Sequence, residues 1–421
     1  MTVSRRDFTR LLALSGSAAF LPGLPADLAF TPLPATPQEP DEAFWREVRR
    51  RFLLPADLAF LNAANLCPTS TPVVETLEKH TRFLDADPSS QSRATLGEAR
   101  ETSRLLLAAA VGAAPEEIVI TRNTSEANNL VSSGVQLGAG DEVLVFADNH
   151  PSNLAAWHQK GARFGFTVVE IPVVTPYPGP GAYLAAFERA FTPRTRLVAL
   201  THVTNTMGDM LPAADLCRMA RDHGALSLVD GAQSFGALHV NLGEMRPDFY
   251  TGSAHKWPCG PKETGLLFVS RAAQERIHAS LVSLYPGAVG ISRRLEGYGQ
   301  RDEAALATLG AAMKFQNDIG RTAIERRVRY LAQRLANGLR QIDGVSLWTR
   351  VGADTSAGIV VFRPGAAEPR RLVATLYEKE RIACAASGGA SRPGVRFSPH
   401  FYNTADEIDR TIAAVRKHIA A

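Results

Sequence analysis

Cysteine is scarce in this chain, with four residues in 421. Cys67, Cys217, Cys259 and Cys384 have no metal-ligand spacing along the sequence, so no metal is expected. Charge of one sign is scarce too: 46 Lys and Arg against 42 Asp and Glu leave a net charge of +4. No basic stripe emerges from that balance, which excludes nucleic acid as a partner. Long apolar runs are missing. The one candidate, ending at Leu24, is broken by Gly16, Pro22 and Gly23 and is too short to cross a bilayer. No strand-like run leads into Gly-x-Gly-x-x-Gly or a Walker loop, which counts against nicotinamide and nucleotide enzymes. Apolar residues themselves are plentiful. At 45% of the sequence they can fill a large core, enough for two domains.

The first residues set the compartment. Arg5-Arg6-Asp7-Phe8 before a modest apolar run reads as a twin-arginine export signal. That implies a periplasmic protein, the twin-arginine export machinery as a partner, and no stable membrane insertion. The route moves folded proteins, which suits a chain that takes up a cofactor in the cytoplasm. Thr31–Pro40 is Pro-rich and is expected to be an extended linker. The expected division is residues 1–40 for signal and linker, 41–300 for a large cofactor-binding domain, and 301–421 for a small C-terminal domain.

From Phe60 to Val269, β-like and α-like segments alternate. This predicts an α/β fold, a mostly parallel sheet with helices on both faces. A helix-rich stretch from Glu303 to Ile342 follows, with Gly310, Gly320 and Gly338 as its weak points. Short strands near 345–348 and 358–362, a helix near 369–380, strands around Ile382 and Val395 and a final helix from Thr404 predict a smaller α+β unit. Residues 41–51 are expected to pack on it.

Lys256 lies in the run Ser253-Ala-His-Lys256-Trp-Pro-Cys-Gly260, after a β-rich stretch. Asp230 ends the apolar run 225–229. Singly, a lysine is ordinarily a solvated charge and an aspartate before glycine ordinarily opens a turn. Together at two strand ends they suit pyridoxal 5'-phosphate (PLP): the lysine forms a Schiff base with the aldehyde, and the aspartate pairs with the pyridine nitrogen. Thr124 and Ser125 stand where an apolar run turns into a helix, a place that binds phosphate or is simply capped. His150 follows another such run, before Pro151, and could stack on an aromatic ring or sit in solvent. Asn205 and Gln233 could donate to a phenolate oxygen or serve as turn residues.

In that order, the runs Thr124-Ser-Glu-Ala-Asn-Asn129, Asn149-His-Pro-Ser-Asn153, Val203-Thr-Asn205, Val229-Asp-Gly-Ala-Gln233, Ser253-Ala-His-Lys256 and Val395-Arg-Phe-Ser-Pro-His-Phe-Tyr-Asn403 are specific. From Phe60 to Ala420 the chain resembles the class V aminotransferases, within the fold-type I PLP-dependent enzymes, in the branch similar to isopenicillin N epimerase. The resemblance implies a seven-stranded large-domain sheet and a homodimer. It makes Lys256 the Schiff-base lysine, Asp230 the partner of the pyridine nitrogen and His150 the stacking residue. Thr124, Ser253 and His255 become phosphate ligands, with Ser125 as backbone support. Asn205 and Gln233 stand near the phenolate oxygen, and Arg396 grips the substrate α-carboxylate through its planar fork.

Two departures stand out. Gln300, in Gly299-Gln-Arg-Asp302, replaces the threonine with which many relatives reach the partner subunit's phosphate. The stretch 386–394 contains no cysteine, where desulfurases carry one that forms a persulfide. Cys384, just before it, reads as a packed small residue on a strand. The expected function is that of a class V aminotransferase-like enzyme acting on an amino acid or amino-acid-derived amine in the periplasm. The alternatives are a C–S lyase, an epimerase, or an enzyme that tailors a siderophore peptide.

Overall fold

The apolar runs that alternate with helical segments become strands of one sheet. In the computed structural model, which describes residues 36–39, 41–387 and 392–419, a short β1 (Ala59–Phe60) comes first. Then follow β2 (Ile118–Thr121), β3 (Glu142–Phe146), β4 (Thr167–Ile171), β5 (Thr195–Thr201), β6 (Leu226–Asp230), β7 (Phe249–Ser253) and β8 (Gly265–Val269). Their order across the sheet is β2-β8-β7-β6-β5-β3-β4. Only β8 runs antiparallel to its neighbours; the other pairs are parallel. The expected fold class is the one observed. The twin-arginine run and most of the Pro-rich linker lie outside the described residues.

Why the strands are apolar at nearly every position is clear from the two faces. Leu144, Val198, Leu200, Val229 and Leu266 enter one core. Their neighbours Val143, Val145, Leu197, Ala199, Leu228 and Leu267 enter another. Successive side chains point to opposite faces, so a sheet buried on both sides needs continuous rather than alternating apolar runs. The edge strand β4 is the exception, with most of its residues partly or fully exposed.

A second sheet, ordered β12-β13-β10-β9, follows in the chain. It holds β9 (Val345–Leu347) and β10 (Val360–Pro364), then β12 (Ala385–Ser387) and β13 (Gly394–Phe397), all antiparallel. Between β10 and β12, β11 (Ile382–Ala383) leaves to pair in parallel with β1. The run expected as one strand around Cys384 is thus split between two sheets, and Cys384 sits half-buried in the break. The long helical stretch is also split. Gly320, at φ +91°, separates the helices Glu303–Ile319 and Arg321–Arg340. A residue with a β-carbon would be strained in that conformation.

The helix Glu42–Arg49 ties the start of the described chain to its end. Asp41 caps it, accepting from Phe44 N at 2.9 Å. Its Phe44, Trp45 and Val48 join Phe315, Ile324, Val328, Phe401 and Tyr402 in one core. Glu42 pairs with the buried Arg327, and Arg49 with Glu407 at 3.1 Å. A deeper pair braces the large sheet. Arg104 is fully buried, and its guanidinium donates to both oxygens of Glu296 and to Ile118 O. Burial works against its charge, but the Glu296 and Glu101 carboxylates outweigh that and raise its pKa. Among the described residues, no helix is long and apolar enough to cross a membrane.

Candidate active site

Five strands deliver polar residues to one edge of the large sheet. Asp230 is the last residue of β6, in register with Thr201 on β5 and Thr251 on β7. Ser253 ends β7, and Lys256 follows in the next turn. Thr124 opens the helix after β2, His150 caps the helix after β3, and Asn205 follows β5. These are the carboxyl ends of parallel strands, where open α/β sheets bind ligands. Close packing fixes the edge. A β-carbon on Gly231 would stand 2.1 Å from the Tyr250 ring, so only glycine lets the chain turn beneath Asp230 there.

Asp230 is buried, and its partners are neutral. Asn128 Nδ2 donates at 2.9 Å, the backbone N–H of Ala232 at 3.0 Å and Asn153 Nδ2 at 3.5 Å. Asn128 is itself held, accepting from Thr251 Oγ1 at 3.0 Å. Among the described residues no cation pairs with Asp230 within 4.0 Å. A buried carboxylate with amide partners alone has been desolvated without a counter-charge.

Lys256 and His150 share this field. Burial lowers the Lys256 pKa below its ordinary value; the Asp230 carboxylate opposes that and the Arg396 guanidinium adds to it. Burial also lowers the pKa of His150, assisted by the Lys256 charge and opposed by Asp230. Its Nδ1 accepts from Ser152 N at 3.2 Å, so the ring is anchored at the helix start. His255 is pushed down to about 4, by burial first and then by Lys256 and Lys262.

A hydroxyl pair marks the start of the helix Thr124–Gly134. Ser253 Oγ accepts from Thr124 N at 2.8 Å and lies 2.8 Å from Thr124 Oγ1. Ser125 lies one residue further, half-buried, its carbonyl accepting from Asn129 Nδ2 at 2.9 Å. Gln233 is used within the scaffold. Its Nε2 donates to Ala64 O at 3.0 Å and its Oε1 accepts from Trp257 Nε1 at 2.8 Å, which leaves one N–H for a ligand.

Arg396 comes from β13 of the smaller sheet and reaches this edge. It donates to Asn205 O at 2.6 Å and to Asn62 Oδ1 at 3.3 Å. Burial pushes its pKa down to about 10, so it keeps its charge at neutral pH. Nearby, Arg392 pairs with Asp148 at 3.1 Å, and Thr206 Oγ1 donates to the same carboxylate at 2.5 Å. Asp209, buried beside that pair, is pushed up to about 7 by burial and by Asp148. Sequence reasoning named none of Asn62, Asn128, Arg392, Asp148 or Asp209 as site residues. Asn128 lay one helical turn beyond Thr124, the only signal available. Gln300 accepts from Arg93 at 3.3 Å and donates to Glu303 at 3.3 Å.

The donor set fits PLP. Asp230 lacks the cation that a protonated ring nitrogen would provide. Asn205 Oδ1 and Arg396 Nε are buried without hydrogen-bond partners, as expected where a polar ligand completes the site. A helix start with two hydroxyls suits a phosphate.

Sheet order, edge and side chains together define an enzyme of the PLP-dependent α/β class. The chain belongs to the class V aminotransferase family, whose profile matches residues 60–411. It is 33% identical to an isopenicillin N epimerase from Streptomyces clavuligerus, over 89% of this chain and 98% of that one. It is 30% identical to a probable cysteine desulfurase from Methanothermobacter thermautotrophicus, over 86% and 95%. Among solved structures, C-DES with glycine covalently linked to its PLP cofactor superposes with a TM-score of 0.81 at 26% identity, covering 87% of this chain and 98% of that one. An apo cysteine desulfurase from Thermococcus onnurineus gives 0.79 at 26%, covering 89% and 98%.

Proposed function

We propose that this enzyme moves a proton at the α-carbon of an amino acid or amino-acid-derived amine, with transamination as the outcome. The observation that carries this is the meeting of Lys256, Asp230, His150 and Arg396 at one sheet edge, with the Lys256 pKa lowered by burial. When bound, PLP supplies an aldehyde for the substrate amine and a ring that withdraws electrons from the α-carbon. The protein does the rest. Arg396 fixes the carboxylate, with Asn205 O and Asn62 holding its fork in place. Asp230 would offer its charge to the ring nitrogen, and His150 would be the residue to lie against the ring. Lys256, deprotonated more readily than an ordinary lysine, would take the α-proton and give it up to a different carbon, the shift that transamination requires. Thr124, Ser253 and His255 would hold the phosphate, with Ser125 as backbone support.

A second reading, epimerisation or C–S lysis, draws support from the relatives, which include an isopenicillin N epimerase and the cystine C–S lyase C-DES. Desulfuration through a persulfide is disfavoured, because 386–394 has no cysteine. Burial pushes the nearby Cys384 thiol up to about 12, away from the nucleophilic thiolate. Purified enzyme offered a panel of amino donors decides the matter, with keto acid, sulfide and inverted product read separately. Keto acid with consumption of an acceptor supports transamination; inverted product or sulfide alone sinks it.

The proposed place of work is the periplasm, reached by twin-arginine export, with a siderophore peptide as an alternative substrate. Replacing Arg5 and Arg6 by lysine should hold the precursor in the cytoplasm; processed protein in the periplasm would refute that route. A homodimer is part of this reading. Val282 and Leu284 are 88% and 94% exposed, and a second copy would cover them.

A further inference from the structure

Cys67, Cys259 and His400 come from three distant parts of the chain. Yet the two sulfurs and a ring nitrogen of His400 lie within 4.8 Å of one another, all buried. The reaction outlined above uses none of the three. They stand behind the loop that carries Lys256. Cys67 N donates to His255 O at 2.8 Å, and Cys259 N donates to Lys256 O at 2.9 Å.

Two details set these side chains apart from ordinary core packing. Cys259 has φ +57°, in the left-handed region that favours glycine. A β-carbon there costs roughly 1–2 kcal/mol. His400 Nε2 lies 2.6 Å from Trp257 O, which can only accept, so this nitrogen carries the proton. Nδ1 is then left with a lone pair, buried and without a partner. An imidazole whose tautomer is fixed by a carbonyl is the usual arrangement of a metal-ligating histidine. The thiols have no strong partner to lose. Cys67 Sγ lies 3.7 Å from Ala63 O, and Cys259 Sγ lies 3.7 Å from Trp257 O.

We propose that Cys67, Cys259 and His400 form a site for a soft divalent cation of the zinc class, tying the loop after β1 to the loop of Lys256. Two thiolates and a neutral imidazole around a divalent ion carry no net charge, as a dry interior requires. Zinc–ligand lengths of about 2.0–2.3 Å place ligand atoms roughly 3.5 Å apart, so the cluster needs to contract by only about an ångström. The Tyr402 hydroxyl, 3.9 Å from Cys67 Sγ, can close the fourth position. Binding one ion releases the two thiol protons to solvent and involves no electron transfer.

The test uses the full-length holoenzyme made without a polyhistidine tag, incubated with zinc, desalted and measured for metal by mass spectrometry. About one zinc per chain is expected, falling to under about a tenth in Cys259→Gly and His400→Gln. Both variants should keep the yellow absorbance of the bound cofactor, and glycine relieves the backbone at position 259. Wild type without zinc overturns the proposal. So does an intact mass two hydrogens lighter than the reduced chain, which would mean a disulfide. Variants that bind zinc as wild type does overturn it equally.

Discussion

Arg396→Lys separates geometry from charge. Arg396 carries five N–H bonds, of which one reaches Asn205 O and another Asn62 Oδ1. Its Nε has no partner in the protein, so the fork keeps donors free for a carboxylate while the anchors fix its plane. A lysine retains a point charge but cannot hold both anchors and a bidentate carboxylate. Loss of one charge-assisted hydrogen bond costs about 1.5–3 kcal/mol, or roughly 10- to 150-fold in kcat/KM. Burial adds to the loss. It pushes Arg396 down to about 10 and acts on a lysine in the same direction from a lower start. The assay is steady-state kinetics at neutral pH with the best amino donor of the panel, alongside the cofactor's absorption spectrum. A fall of that size with an unchanged spectrum is expected, mostly in KM if the grip acts equally on ground and transition states. Wild-type kcat/KM would show that the substrate is not held by a free α-carboxylate. A peptide-linked or side-chain amine would then become the leading substrate.

The other predictions concern the cofactor and the scaffold. Borohydride should fix the cofactor on Lys256, and Lys256→Ala should abolish the label; label on another lysine refutes the assignment. Glu296→Ala removes the buried partner of Arg104 and leaves it only the partly exposed Glu101 as a counter-charge, so it should lower the unfolding free energy by about 2–3 kcal/mol in urea melts. A loss below about 1 kcal/mol would mean that the pair is not the brace described. His202 is pushed down to about 4 by burial, so below pH 6.5 the unfolded chain takes up a proton there that the folded chain refuses. Stability should therefore fall as pH drops from about 6.5 towards 4, with up to about 1.4 kcal/mol per pH unit from this residue. His202→Asn should flatten that slope; an unchanged slope counts against the argument.

The sequence alone determined the parts of this protein that follow local rules. Continuous apolar runs ending in polar turns and helices specify a sheet buried on both faces, because side chains alternate and both sides need cover. The same pattern puts Asp230, Ser253, Thr124, His150 and Asn205 at strand ends. The start of the helix Pro369–Glu380 was equally visible, whereas of the three weak points Gly310, Gly320 and Gly338 only Gly320 breaks the long helical stretch, and packing chose it. Tertiary structure alone decided what depends on distant segments meeting. Asn62 supports Arg396 across 334 residues, and Asn128 reaches Asp230 across 102. Gln233 turned out to brace Ala64 and Trp257, which no turn rule anticipates. The run around Cys384 was divided because two sheets compete for it. The cysteines give the sharpest contrast. Their spacing along the chain excluded a metal, whereas the fold sets Cys67 and Cys259 beside His400. Sequence spacing reports ligands only when they share one local element; contacts between separate loops are fixed by how the core packs.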